Sequence, residues 1–217
     1  MRKLSPVWRS LGFVAPLVFM TAAQAGMEET TLNFAVTRNG DRIGTTTVRL
    51  QHDGKHLAAD IATQIQVKIA SITVYRFEQR ETERWLDGKL VGLNAVTDDN
   101  GTINRVSAAR NGDKLAVNAD GKITEVDAAI VPASLWNAQL VKKTIALNSK
   151  DGSVMPISVI DYGKEQLVLQ GRPTTAHHYS IKTNLPHDVW YDDAQRLLKV
   201  ELRGSDGSRI NTTRSAT

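Results

Sequence analysis

The sequence predicts an all-β fold: an antiparallel meander of about ten to twelve strands, curved into a sheet or an open or closed barrel, with one short helix. Three observations predict it. Residues 57–69 alternate, with Leu57, Ala59, Ile61, Thr63, Ile65, Val67 and Ile69 on one face and Ala58, Asp60, Ala62, Gln64, Gln66 and Lys68 on the other. At about 3.3 Å per residue such a strand spans roughly 40 Å, long for a compact sandwich and suited to a curved wall. Turn signals recur at short intervals: Asn39-Gly40, Asp53-Gly54, Asp87-Gly88, Asn100-Gly101, Asn111-Gly112, Asp120-Gly121, Asp151-Gly152, Tyr162-Gly163 and Asp206-Gly207. Asn-Gly and Asp-Gly pairs favour the positive φ that joins adjacent antiparallel strands. Finally, no alternation of strands with helices runs along the chain.

In chain order, residues 1–25 read as an export leader. Arg2, Lys3 and Arg9 give a positive start, residues 11–20 an apolar run, and Ala23-Gln24-Ala25 a small-x-small processing site. The apolar run is too short to cross a bilayer, which needs about 20 residues in a helix. The expected product is one β domain over residues 26–217, periplasmic, with no transmembrane segment after cleavage. Strand-like runs follow at 32–36, 43–50, 57–69, 90–96, 103–109, 153–160, 166–169, 178–183 and 197–202. Between them Leu135, Trp136, Leu140 and Val141 fall at helical spacing, and Ser134 offers a cap, so residues 132–141 are expected to form one or two helical turns plugging an end of the sheet.

Charge and composition remove several function classes. The 27 basic residues of the whole chain lose Arg2, Lys3 and Arg9 with the leader, leaving 24 against 23 acidic ones. No basic cluster remains to neutralise a row of phosphates, so nucleic acid is not an expected partner. The chain has no cysteine, which excludes disulfides, thiolate metal sites and a cysteine nucleophile. His177 and His178 are neighbours and on a strand point to opposite faces. His52 and His56 make at most half a site. No metal and no cofactor are expected, and serine-nucleophile, phosphate-loop and zinc-protease motifs are absent.

Two groups of residues carry candidate chemistry. Glu81 and Glu83 lie two apart, on one strand face with Tyr75, Phe77 and Trp85. Adjacent carboxyls there could raise one another's pKa and divide acid and base roles, as a hydrolase would require. The opposite face carries Arg76, Glu78, Arg80 and Arg84, and a solvated, charge-laced strand accounts for the same segment. The second group is apolar: Ile61, Ile65, Ile69, Phe77, Trp85, Trp136 and Trp190 are the candidate contacts for an apolar ligand, with core filling as their alternative role.

The segments Asn39-Gly40-Asp41-Arg42-Ile43-Gly44, Trp85-Leu86-Asp87-Gly88-Lys89-Leu90, Pro132-Ala133-Ser134-Leu135-Trp136-Asn137 and Asp188-Val189-Trp190-Tyr191-Asp192 resemble the pattern of a family of exported bacterial proteins of unknown function. It is similar to the wider set of periplasmic domains that form curved antiparallel sheets or barrel-like walls. The resemblance covers nearly the whole chain after the leader. It implies the fold and a Gram-negative envelope location, and it carries no catalytic residues. The expected function is a non-catalytic module binding an apolar or amphipathic small molecule such as a lipid. The alternatives are a structural or interaction protein of the envelope, with protein partners there, and a hydrolase using Glu81 and Glu83.

Overall fold

The computed structural model describes residues 26–215, so the leader read over residues 1–25 lies outside the described residues. The first eight strands are β1 (Glu28–Arg38), β2 (Asp41–His52), β3 (His56–Ile69), β4 (Ile72–Leu86), β5 (Lys89–Asp99), β6 (Thr102–Asn111), β7 (Lys114–Ala119) and β8 (Lys122–Asp127). The rest are β9 (Ile145–Leu147), β10 (Val154–Pro156), β11 (Ser158–Leu169), β12 (Arg172–Lys182), β13 (His187–Tyr191), β14 (Leu197–Arg203) and β15 (Arg209–Arg214). Thirteen of them form one antiparallel sheet in the order β11 to β15, then β1 to β8, while β9 and β10 form a separate hairpin. The strands therefore pair as hairpins along the chain, and β15 returns beside β1. Strands β8 and β11 are the two ends of the sheet and do not pair with each other. The wall is an open barrel.

Turn chemistry explains much of this order. Both residues of Asn39-Gly40, Asp87-Gly88, Asn100-Gly101 and Asp120-Gly121 have positive φ, the geometry of the tight turns whose twist matches that of paired strands. Tyr162-Gly163 is a correction to the turn expected there. Strand β11 runs through it, and the register against β12 shifts between Asp161 and Gly163. Gly163 takes φ 79° and its N–H donates to Asp161 Oδ1 at 2.8 Å, so the positive φ builds a bulge rather than a reversal.

The number of strands exceeds the expected ten to twelve because polar strands such as β8 and β15, and the three-residue β9 and β10, lack an alternating apolar signature. The helix over residues 132–141 shrinks to a single 3-10 turn, Ala138–Lys142, and its cap is Asn137, whose side chain accepts the Gln139 N–H at 3.0 Å. Ser134 lies too far upstream to cap it.

The interior is filled by the chain itself. Leu32, Phe34, Val48, Ala59, Leu93, Leu115 and Val189 point inward from the wall, and the connection from β8 to β11 contributes Ile130, Trp136, Leu140, Leu147 and Ile157 to the same core. This connection, the plug, joins the two unpaired sheet ends along the chain. Its parallel bridge from Pro132 to Leu147 and the β9–β10 hairpin give it internal structure.

The β3–β4 hairpin is longer than the wall around it. Strand β2 stops pairing with β3 at Gly44 opposite Ile65, and β5 stops pairing with β4 at Asp99 opposite Phe77. Beyond these points the hairpin stands on its own two strands. Gly44 is required at its last wall contact, because a Cβ there would come within 2.0 Å of the Gln64 carbonyl oxygen.

Candidate binding site

Glu81 and Glu83 correct the expectation of a solvated strand. Burial along β4 alternates, and these two carboxyls take the inward positions, 3% and 0% exposed respectively. Arg76, Arg80 and Arg84 take the outward ones. Room for the acids comes from small neighbours: Ala59 faces Glu83 across the β3 ladder, and Ala95 faces Glu81 across the β5 ladder.

Each carboxyl is tied to the plug. Glu83 Oε2 accepts the Trp85 indole N–H at 2.8 Å, and Oε1 accepts that of Trp136 at 3.1 Å. The two indoles meet edge to face, 6.2 Å between centroids and 89° between planes. Glu81 Oε2 accepts the Ser149 hydroxyl at 2.7 Å. Its other oxygen, Oε1, is buried and accepts no hydrogen bond from a donor among the described residues.

Burial, and then the charge of Glu83, push the Glu81 carboxyl well above the usual carboxylate range, against the opposing effect of the Ser149 hydroxyl. Burial also raises Glu83, but the hydroxyl of Ser134 and the two indoles favour its charged form. The proton that the pair retains therefore belongs on Glu81.

Glu81 lines a cavity of about 330 Å³. Its apolar walls include Phe34, Val48, Ile61, Phe77, Leu197 and Val200, and Gln79, Ser149 and His187 are among its polar lining. A second cavity of about 360 Å³ adjoins it, sharing Ala133, Leu135, Asn148 and His187 as common lining. Burial pushes the His187 imidazole down, so it is uncharged at neutral pH. Between the chambers, Trp136 N–H donates to the Ser134 carbonyl at 2.8 Å across Leu135, which has φ 63°. This is the rare γ-turn of positive φ. The Tyr191 hydroxyl holds it by donating to the Leu135 carbonyl at 2.7 Å.

The expected ligand contacts separate. Ile61 and Phe77 line the cavity with Glu81. Trp85 and Trp136 stand behind its floor on Glu83, and Trp85 also lines a separate cleft of about 390 Å³ with Leu90, Arg110 and Lys143. Ile65 and Ile69 lie along the hairpin overhang, where Ile65 is half-buried beside Gly44 and Ile69 is 65% exposed, because neighbouring strands end before them. Trp190 packs on the other face of the sheet with Ala176 and Leu198, stacked on His178 at 4.3 Å with Lys199 Nζ 4.5 Å from its ring centroid. Among the cavity residues that sequence reasoning missed are Phe34, Val48, Ser149, His187, Leu197 and Val200. Phe34 and Val48 carried an alternating signal in their strands; Ser149, in a loop far along the chain, carried none.

Of the two carboxyls, only Glu81 lines the cavity. Among the described residues no cluster of three or more histidine, aspartate or glutamate side chains is arranged to hold a metal, and no helix is long and apolar enough to cross a membrane. His177 and His178 pair separately, with Asp161 at 2.6 Å and with Glu165 at 3.5 Å.

Comparison with known proteins agrees with this architecture. The family model described as a domain of unknown function, DUF6134, matches residues 34–215. A crystal structure of a β-barrel-like protein of the domain of unknown function DUF1849 from Brucella abortus superposes with a TM-score of 0.62 at 10% identity, covering 90% of this chain and 100% of that one. At that identity the likeness concerns the fold alone. The search of curated proteins gave no match.

Proposed function

The chain belongs to the DUF6134 family of domains of unknown function, and from its site we propose that it is an exported, periplasmic binding module that holds an amphipathic small molecule inside an open β-barrel. The observation that carries this reading is the cavity of about 330 Å³ with apolar walls and one buried carboxyl in its lining. Small-molecule sites combine such walls with a few placed polar groups. A purely structural envelope protein would have no need to leave this volume unfilled, since interiors otherwise pack to crystal-like density.

Native mass spectrometry of protein purified from its own host under non-denaturing conditions tests the reading. A co-purifying small molecule that disappears when Ile61→Trp fills the cavity is the expected result. A ligand-free spectrum, together with no binding of any amphiphile added back, would overturn it. N-terminal sequencing of the exported protein tests the location, with a start at Gly26 expected and an uncleaved chain against it.

A further inference from the structure

The carboxyl in the cavity specifies more than a polar contact. We infer that the cavity selects an amphipathic amine, whose ammonium group sits on Glu81 Oε1 while its apolar body lies against Phe34, Val48, Ile61 and Phe77. This rests on the binding-module reading and names its ligand class.

The argument is one of missing counter-charge. Buried carboxylates are normally matched by a cation or by enough donors to satisfy every oxygen. The Glu81–Glu83 pair is met only by neutral hydrogen-bonding groups: two indoles and the hydroxyls of Ser134 and Ser149. Glu83 is satisfied on both oxygens and sealed from the cavity. Glu81 is 3% exposed, lines the cavity, and has one oxygen that accepts nothing from the protein. The titratable groups elsewhere in the lining do not supply the charge. Lys150 is bound to Asp99 at 2.5 Å, and His187 is neutral at neutral pH. On either side of Glu81, strands β3 and β5 present Ile61 and Ala95, so no cation reaches it from the wall.

Before a ligand binds, the proton on Glu81, hydrogen-bonded to Glu83, stands in for a cation. An incoming ammonium replaces it: the N–H bonds of the ligand donate to Glu81, the carboxyl O–H bond breaks, and one proton leaves to solvent. Charge is conserved, and the buried pair ends with an ion partner in place of its own proton. A fatty acid or a neutral alcohol cannot make this exchange, and a carboxylate headgroup would place a second negative charge beside Glu83.

The experiment titrates the purified protein with n-octylamine, 1-octanol and octanoate, which share one tail and differ in the head. Binding is followed by calorimetry in buffers of high and low ionisation heat. Trp85 and Trp136, hydrogen-bonded to Glu83, provide a fluorescence signal from the site. The amine is expected to bind about tenfold or more tightly than the alcohol, octanoate most weakly. The buffer dependence should report close to one proton released per amine bound. Glu81→Gln keeps the shape and should bring the amine down to the affinity of the alcohol. Should that variant fail to fold, the ranking and the proton count on the wild-type chain decide alone. Equal binding of amine and alcohol, tighter binding of octanoate, or no proton release would overturn the amine assignment while leaving a binding cavity in place. Binding of none of the three would remove both readings.

Discussion

Glu83 is a buried carboxyl made tolerable by geometry. An isolated carboxylate out of water would cost several kcal/mol, yet each of its oxygens takes an indole N–H, and the result joins β4 to the plug. Glu83→Ala strands two buried donors and opens a void, so a loss of about 3 kcal/mol is expected in urea unfolding. A loss under about 0.5 kcal/mol would show that the joint carries no stability. Glu81 acts through its proton. Its folded value lies above the ordinary 4.5, so the native state holds a proton that the unfolded chain has released. The stability this contributes is fully present below about 4.5 and is lost as pH rises through the folded value. Thermal melts across that window should fall with rising pH for the wild type, and Glu81→Gln should flatten the slope. Asp53 has the opposite sign. Hydrogen bonds from the His56 backbone first, then its side chain, hold Asp53 at about 2, so its contribution is present above 3.8 and lost as pH falls toward about 2.

At the scale of elements, β3 shows how much the sequence carries. Its alternation gives the inward face correctly, because period two is a property of the extended chain itself. Alternation does not say how far the neighbours extend. Ile61 lies where β2 and β4 both flank β3 and is 7% exposed, whereas Ile65 sits at the last rung of β2 and is half-buried. Ile61→Ala should therefore cost about 2 kcal/mol and Ile65→Ala less than about 1 in the same denaturation assay. Equal losses would mean that the overhang is packed after all. The buried acids were legible as a same-face pair but not as interior groups, since their burial depends on Trp136 and Ser149, which follow them by more than fifty positions. A charged run reads as solvated until the long-range donors are known. The plug's strained turn was equally silent, because Leu135 offers no local reason for a positive φ. The Tyr191 hydroxyl supplies part of the reason through its bond to the Leu135 carbonyl, and Tyr191→Phe should cost about 1 kcal/mol.

For the whole molecule, the decisive feature is where the sheet is open. Chain termini usually mark a sheet's edges, but here β1 and β15 pair with each other, and the gap falls between β8 and β11, in the middle of the sequence. The connection between these two strands is the plug, so the same segment fills the core and holds the two acids, of which Glu81 lines the cavity. An open sheet also predicts a gradient of stability that a closed barrel would not have. In a closed barrel every strand has two partners; here β8 and β11 have one each, and β8 is six largely exposed residues. Local opening follows the balance of buried contacts and ladder bonds that each strand contributes. Native-state hydrogen exchange should therefore find the slowest amides in β4, flanked by β3 and β5 and pinned to the plug through Glu81 and Glu83, with protection falling toward β8 on one side and β11 on the other. Glu83→Ala should lower protection in β4 and in the plug together, since it cuts the bond between them, and leave β12 unchanged. Uniform protection from β8 to β11 would mean that the seam is closed in solution.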